Sequence, residues 1–291
     1  MRPFPKERMS AALFFLETYL STSIPTTNAV VILLQEMTVS DLHLIESAHW
    51  IRERFHITDQ SLKNWASGHY GTCTLIDKRL HLIDVFRVHY QATNMGRDAL
   101  FVDITFPATV SKEEQDSLTS TMPDPQTLAL AQHESSKKTI RVCNTHLESL
   151  RAVPPLRPLQ LITASRFMLQ PDMHASILGG DLNAIEPFDR TLHADHGLKD
   201  AYLELGGKED SEEGYTWGQM AGRAERERYG SCRMDKVIFA GGVVVKRLER
   251  VGSWVEIEGV KEREMLRGRA GLDGGWVTDH VGLRADFEVT E

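Results

Sequence analysis

The chain is 291 residues long, with 41% hydrophobic and 25% charged residues, which is typical of a soluble globular protein large enough to bury a core. Its net charge of −8 argues against a protein that coats nucleic acid through a broad basic surface, although an enzyme with a local basic groove remains compatible. The three cysteines lack CxxC spacing and favour a reducing compartment, and no apolar stretch approaches the roughly 18 residues of a membrane span.

The first predicted elements are a helix and a strand. Residues 9–16 superficially resemble the apolar part of a signal peptide, but their large apolar side chains recur at helical spacing, which favours an amphipathic core helix ending near Ser21. Residues 28–36 are continuously apolar and predict a central strand covered on both faces. A second helix is predicted to begin at Ser40, a good capping residue.

The rest of the chain combines many short β-like runs with few helices. Residues 107–138 are polar and rich in Pro and Ser, and they predict an excursion on the surface rather than a domain linker. Many strands with few interspersed helices predict an α/β fold, a two-sheet sandwich formed by residues 1–291 as a single domain. The remaining predicted strands are 71–76, 83–90, 99–106, 139–147, 175–178, 234–239, 243–250 and 281–287, and a further helix is predicted over 158–169.

Four short polar motifs follow apolar runs along the chain. They are Gln35-Glu36, Asn144-Thr145-His146-Leu147-Glu148-Ser149, Gly180-Asp181-Leu182-Asn183 and Thr278-Asp279-His280. Strands that end in carboxylates, imidazoles and an amide would bring these groups together on one rim of a sheet. Oxygen-rich groups with almost no sulfur suit Mg²⁺ and phosphate chemistry. Each motif alone is weak evidence for such a site, but the four together are strong.

Two of the motifs place polar residues two positions apart, where residues of a strand share one face. His146 and Glu148 would therefore point the same way, and so would Asp181 and Asn183 if the backbone stays extended. For either pair alone, a hydrogen-bonded strand end without function is an equally good interpretation. The repetition of the pattern, with Glu36 and Asp279-His280 also available, favours a functional site.

Carboxylates in the motifs are the candidates for metal binding and base catalysis. Glu36 and Asp279 could hold Mg²⁺, which favours one or two carboxylates together with water and substrate phosphate. As a lone residue, Glu36 could instead cap the following turn. Asp181 is the candidate general base for a water molecule in line with the phosphorus.

The amide and imidazoles of the motifs are the candidates for stabilising charge. Asn183 could orient the attacking water or stabilise the transition state. His146 and His280 could each donate to phosphoryl oxygens that gain charge. A lone histidine is more often structural, so the functional interpretation of these two depends on the carboxylates that accompany them.

The set Gln-Glu, His-Leu-Glu-Ser, Gly-Asp-x-Asn and Asp-His resembles the endonuclease/exonuclease/phosphatase superfamily. Within it, residues 146–151, 215–217 and 233–239 are most similar to the tyrosyl-DNA phosphodiesterases, and the resemblance extends from about residue 5 to residue 288. It implies a DNase I-like sandwich and a hydrolase dependent on Mg²⁺ or Mn²⁺. The implied reaction cleaves the bond between a tyrosine and a DNA 5′-phosphate in DNA repair. The resemblance also implies a monomer located in the nucleus or cytoplasm.

The resemblance assigns roles to residues of this chain. Glu36 and Asp279 match the magnesium-side carboxylates, and Asp181 and Asn183 match the pair that handles the attacking water and the transition state. The positions that match phosphate contacts are His146, Ser149, Arg151 and His280.

One further residue matches a substrate-binding position, and two are assigned supporting roles. Trp217 lies where the family places an aromatic ring near the substrate nucleotide, where stacking would bind a strand end without reading its sequence. A core role for Trp217 is equally compatible. Asp235 matches a position that supports the active-site network, and Glu148 is expected to brace its neighbours.

Two features depart from the family pattern. The family carries an N-terminal strand with an asparagine close to metal and phosphate, whereas this sequence enters its first helix directly after Pro5. We therefore expect a sheet that lacks its first strand, as in a truncated chain, and a site that lacks one amide. Ala184-Ile185 occupies a position where several relatives have an arginine. Two alternatives follow: a phosphodiesterase of the same fold for another phosphate ester, and an inactive binding protein.

Overall fold

A computed structural model describes residues 3–107, 137–269, 272 and 274–290. Residues 108–136, the greater part of the predicted surface excursion, lie outside the described residues. The described helices are α1 Pro5–Ser23, α2 Val39–Ser47, α3 His49–Arg54, α4 Arg157–Met168, α5 Leu192–Asp195, α6 Ala201–Glu204, α7 Arg223–Tyr229 and α8 Val260–Arg269. The described strands are β1 Val31–Met37, β2 Phe55–Ile57, β3 Gly71–Asp77, β4 His81–His89, β5 Asp98–Pro107, β6 Lys137–His146, β7 Ala175–Asp181, β8 Lys199–Asp200, β9 Asp235–Gly241, β10 Val243–Val251 and β11 Gly282–Val289.

The larger sheet determines where the strand ends meet. It has six strands in the order β4-β5-β6-β7-β9-β8. Strands β6 and β7 are parallel, and β9 is antiparallel to β7. Because parallel strands end at the same edge of a sheet, β6 and β7 bring their last residues to one rim, and β9 begins at that rim.

A smaller β layer packs on one face of this sheet. It consists of the antiparallel sheet β1-β3-β2 and the two-stranded antiparallel sheet of β10 and β11. Leu33 of β1 and Phe287 of β11 pack against the same apolar cluster, which includes Val142 and Phe239 of the larger sheet. The predicted two-sheet α/β sandwich is therefore confirmed.

Helices cover the outer faces of both layers. Helices α1 and α2 pack on β3 through Leu13, Leu42 and Leu75. Helix α4 covers the larger sheet, where Leu161 belongs to the same cluster as Phe101. The predicted first helix is confirmed, and it is an element of the core. No helix in the described ranges combines the length and the apolar character that crossing a membrane requires.

Strand β1 differs from its prediction as a central strand covered on both faces. It lies at the edge of the three-stranded sheet, and most of its residues are half-buried. Its pairing with β3 is irregular between Leu34 and Met37, where Glu36 is exposed and has a left-handed backbone with φ 58°. The smaller layer is divided into two separate sheets, so β1 has β3 as its one partner strand among the described residues. Within the described part of the chain, β1 and β11 each have one edge with no partner strand.

Candidate active site

Three adjacent strands place polar residues side by side at the rim of the larger sheet. His146 ends β6, Asp181 ends β7 and Asp235 begins β9. The register pairs His146 with Asp181, and Asp181 with Asp235. Since neighbouring strands lie about 4.8 Å apart, the three side chains are close enough to interact. His280, just before β11, reaches the same group from the smaller layer.

These four side chains form a chain of contacts. His146 Nε2 lies 3.3 Å from Asp181 Oδ2, and His280 Nε2 lies 3.9 Å from the same oxygen. His280 Nδ1 lies 2.8 Å from Asp235 Oδ2. Asp181 is therefore flanked by two imidazoles, while Asp235 orients one of them. Such a group can accept a proton at one point and donate hydrogen bonds to an anion at another.

The surroundings shift the pKa values of the two aspartates in opposite directions. Burial by itself raises the pKa of Asp181, but the two histidines outweigh it and hold this pKa well below its usual range. For Asp235, burial together with the nearby Asp181 charge outweighs His280, and the pKa is raised. Burial lowers the pKa of His280, yet the surrounding carboxylates raise it to about 10. At neutral pH the group therefore contains an ionised Asp181 and a protonated His280.

One group of described residues brings its ligand atoms close enough together to hold a divalent metal. Ligand atoms of Asp181, Asp235 and His280 all lie within 4.8 Å of one another. A protonated imidazole cannot ligate a metal, so binding there would require loss of the His280 proton. The predicted pair Glu36 and Asp279 supplies carboxylates only, which is the donor chemistry that Mg²⁺ prefers. On donor chemistry, Glu36 and Asp279 therefore remain the predicted ligands of Mg²⁺.

Glu36 and Asp279 are not members of the group of three. Glu36 is exposed and has no hydrogen bond or ion pair with the described residues, which leaves its carboxylate available to a cation. Asp279 accepts a hydrogen bond from Trp217 Nε1 at 3.0 Å. Trp217 is only 8% exposed and packs in a small apolar cluster. Its position is that of a core residue that also orients the Asp279 carboxylate.

Asn183 does not continue β7. Its φ is 47°, its amide N–H donates to Asp181 Oδ1 at 2.8 Å, and its Nδ2 donates to the carbonyl of Leu147 at 3.1 Å. The expectation that Asp181 and Asn183 share a strand face is wrong, because the strand ends at Asp181 and the chain turns. Asn183 instead joins the loop after β7 to the loop after β6.

The residues that follow His146 lie in different environments. Strand β6 ends at His146, so the predicted sharing of a strand face with Glu148 is also wrong. Glu148 is buried and accepts a hydrogen bond from Thr93 Oγ1 at 2.8 Å, which connects two loops. Ser149 accepts a hydrogen bond from a buried arginine. Arg151 is exposed, and its distance of 3.9 Å to a glutamate is that of a weak ion pair.

That buried arginine, Arg97, carries no signal in the sequence patterns. It lies just before β5, with Nη1 2.5 Å from His146 Nδ1 and Nη2 2.9 Å from Ser149 Oγ. A single arginine in a loop belongs to no periodic pattern and to none of the four motifs. The nearest signal is Gly96, whose φ of 66° and close approach to the Ser67 backbone mark a tight turn.

Comparison with protein families identifies the class of protein. The model of the endonuclease/exonuclease/phosphatase family matches residues 12–280. The chain therefore belongs to this family, whose members are hydrolases that act on phosphate esters. Among curated protein sequences, none matches the chain.

Solved structures similar to this chain include several of TDP2. A humanized D. rerio TDP2 with 14 mutations has a TM-score of 0.62 at 18% identity, covering 98% of this chain and 94% of that one. TDP2 from Caenorhabditis elegans has a TM-score of 0.59 at 19% identity, covering 97% and 69%. The human Nocturnin catalytic domain with bound sulfate has a TM-score of 0.56 at 17% identity, covering 98% and 87%. At these identities the likeness shows a shared fold.

Proposed function

We propose that this protein is a Mg²⁺-dependent phosphodiesterase that hydrolyses 5′-phosphotyrosyl-DNA adducts in DNA repair, acting as a single-domain monomer in the nucleus or cytoplasm. One observation carries the proposal: at the rim of the sandwich, His146 Nε2 and His280 Nε2 lie 3.3 Å and 3.9 Å from Asp181 Oδ2, so two imidazoles flank one carboxylate. The likeness to TDP2 structures, one of which is complexed with a single-strand DNA product, supports the choice of substrate.

Asp181 is the residue suited to hold the attacking water. Its carboxylate is ionised at neutral pH, but its low pKa makes it a weak base, so it orients the water and accepts the proton as the new bond to phosphorus forms. Bound Mg²⁺ would polarise a phosphoryl oxygen and make the water more acidic. Asn183, beside Asp181, is placed to keep that carboxylate in one orientation.

His280 is the residue suited to stabilise the phosphoryl group. Asp235 accepts from His280 Nδ1, so the Nε2–H is directed toward the Asp181 side of the site. A protonated ring there can donate to oxygens that gain charge during the displacement. The bond from phosphorus to the tyrosine oxygen breaks, the phenolate leaves and takes up a proton, and the 5′-phosphate stays on the DNA.

The remaining predicted residues complete the proposed site. Glu36 and Asp279 would hold the metal, with Asp279 oriented by Trp217. Ser149 and Arg151 lie in the loop after β6, the strand that ends in His146. We assign them to contacts with the phosphate of the DNA end.

The proposal is tested by hydrolysis of a 5′-phosphotyrosyl oligonucleotide with Mg²⁺, Mn²⁺ or a chelator. We expect metal-dependent release of tyrosine, and a loss of kcat of about 10³-fold in Asp181→Asn, as for a group that handles the proton. Asp172→Asn is the matched control, because Asp172 is exposed in the loop before β7, at the opposite end of that strand. A chain inert toward this substrate while folded and metal-loaded would contradict the proposal.

Parallel assays distinguish the alternatives. Turnover of abasic DNA or of a phospholipid headgroup ester, without release of tyrosine, would indicate a same-fold enzyme for another phosphate ester. The absence of an arginine at Ala184-Ile185 and the likeness to Nocturnin are the observations that favour this second candidate. Binding of a DNA 5′ end without any turnover would indicate an inactive binding protein.

A further inference from the structure

Arg97 is a buried cation that has no carboxylate partner among the described residues. It is 5% exposed, yet it forms none of the ion pairs seen in the described ranges. Burying a charge without a counter-ion is costly, so the stability of the fold does not explain Arg97. Every other buried arginine in the described ranges pairs with an aspartate: Arg141 with Asp103, Arg157 with Asp189 and Arg233 with Asp200.

The Arg97 guanidinium instead bridges two residues of the site. Nη1 lies 2.5 Å from His146 Nδ1, and Nη2 lies 2.9 Å from Ser149 Oγ. The Tyr70 ring packs against the guanidinium, with its centroid 5.2 Å from Cζ. Nε is buried and has no hydrogen-bond partner among the described residues. The planar guanidinium of Arg97 is therefore held in one orientation by packing and by its contacts with His146 and Ser149.

These contacts determine which hydrogens remain available at the site. A guanidinium is always protonated and can only donate hydrogen bonds. His146 Nδ1 must accept from Arg97, so the proton of the neutral ring is on Nε2, the nitrogen that lies 3.3 Å from Asp181. Ser149 Oγ also accepts from Arg97, so its own O–H is free to donate in another direction.

We propose that Arg97 is a positioning residue that makes His146 and Ser149 into hydrogen-bond donors for the phosphoryl group. It does so by occupying the acceptor of each: the imidazole is held in its Nε2–H form and the serine hydroxyl is turned away from the arginine. The phosphoryl part of this inference rests on the proposed function, but the arrangement of hydrogens at His146 does not. The two can therefore fail separately.

The first test is the tautomer of His146 in the metal-free, substrate-free protein. Long-range ¹H–¹⁵N NMR spectra report which ring nitrogen carries the proton, and a His146→Gln variant assigns the signals. We expect Nδ1 to be unprotonated and Nε2 to be protonated at neutral pH. A proton on Nδ1 in the folded protein would overturn the proposal, whatever the enzyme hydrolyses.

The second test removes the guanidinium group of Arg97. In Arg97→Met, the NMR signals of His146 are expected to show that the proton is no longer confined to Nε2. Binding of inorganic phosphate is expected to weaken on the order of 10-fold, as when other residues that orient a site histidine are removed. Arg97→Lys keeps a donor and is expected to retain part of both. Arg166→Met is the control for loss of a positive charge, because Arg166 is exposed on α4. It is expected to change neither.

A double-mutant cycle shows whether Arg97 acts through His146. The effects of Arg97→Met and His146→Gln on phosphate affinity are expected to be less than additive, because the second change removes what the first positions. Full additivity, or an unchanged His146 spectrum in Arg97→Met, would overturn the proposal. If Arg97→Met does not fold, the wild-type tautomer and Arg97→Lys still decide the question.

Discussion

His280 Nδ1 lies 2.8 Å from Asp235 Oδ2, and this contact connects the two β layers at the candidate site. Asp235 begins β9 of the larger sheet, whereas His280 lies just before β11 of the smaller layer. The contact explains why the imidazole is protonated at neutral pH although it is largely buried. The positive charge of His280 therefore depends on the packing of the smaller layer against the larger sheet, because that packing brings Asp235 to the imidazole.

The first prediction concerns stability and pH. The pKa of His280 is about 10 in the folded chain and 6.5 ordinarily, so its stabilisation is complete below pH 6.5 and is lost as the pH rises toward 10. The metal-free protein is expected to lose up to about 5 kcal/mol of unfolding free energy across this window, because the two pKa values differ by 10 − 6.5 = 3.5 and each pKa unit corresponds to about 1.4 kcal/mol; urea denaturation measures the loss. His280→Gln is expected to flatten this dependence, and His69→Gln, at an exposed position, is expected to preserve it. An equally steep dependence in His280→Gln would contradict the assignment.

The second prediction separates metal binding from stability at Glu36. Because Glu36 is exposed and contacts no described partner, Glu36→Gln is expected to change the unfolding free energy by less than about 0.5 kcal/mol. It is expected to weaken Mg²⁺ binding at least about 10-fold, measured by calorimetric titration. Glu17→Gln, exposed on α1, is the control and is expected to bind Mg²⁺ normally. Unchanged Mg²⁺ affinity in Glu36→Gln would remove Glu36 from the metal site.

The third prediction concerns Gly180, the residue of β7 that precedes Asp181. A Cβ at Gly180 would overlap the carbonyl oxygen of Thr145 on the neighbouring strand β6. Gly180→Ala is therefore expected to cost about 3 kcal/mol of unfolding free energy and to displace Asp181. Gly268→Ala in α8, where a Cβ meets nothing within 4 Å, is expected to be neutral or slightly stabilising. Equal stability of the two variants in chemical denaturation would contradict this account.

The fourth prediction concerns the bracing role of Glu148. This buried carboxylate accepts hydrogen bonds from Thr93 Oγ1, the Asn94 amide and Gln160 Nε2. Glu148→Ala removes the acceptor of three buried or partly buried hydrogen bonds and is expected to cost about 3 kcal/mol of unfolding free energy. Glu148→Gln, whose amide oxygen still accepts, is expected to cost less. If Glu148→Ala lost activity at unchanged thermal stability, Glu148 would have a role beyond bracing.

The predictable part of the site comes from local patterns. His146 and Asp181 each follow an apolar run, and such runs identify strand ends without any knowledge of the fold. The position of Asp235 opposite Asp181 depends on pairing between β7 and β9, which are far apart along the chain, and no local pattern specifies that neighbour. Arg97 reaches His146 and Ser149 from a loop that is distant along the chain, and hydrophobic periodicity does not report such a contact. Glu36 was expected at a buried strand end because apolar composition does not reveal whether a strand has neighbours on both sides.

The divided smaller layer has a mechanical consequence for the metal site. Glu36 is at the end of β1 and Asp279 lies ahead of β11, and no backbone hydrogen bond joins these two strands in the described part of the chain. No ladder of backbone hydrogen bonds between β1 and β11 therefore fixes the separation of the two proposed ligands. A cation bound by both Glu36 and Asp279 would link β1 to β11. Metal binding and the rigidity of the smaller layer are therefore expected to increase together.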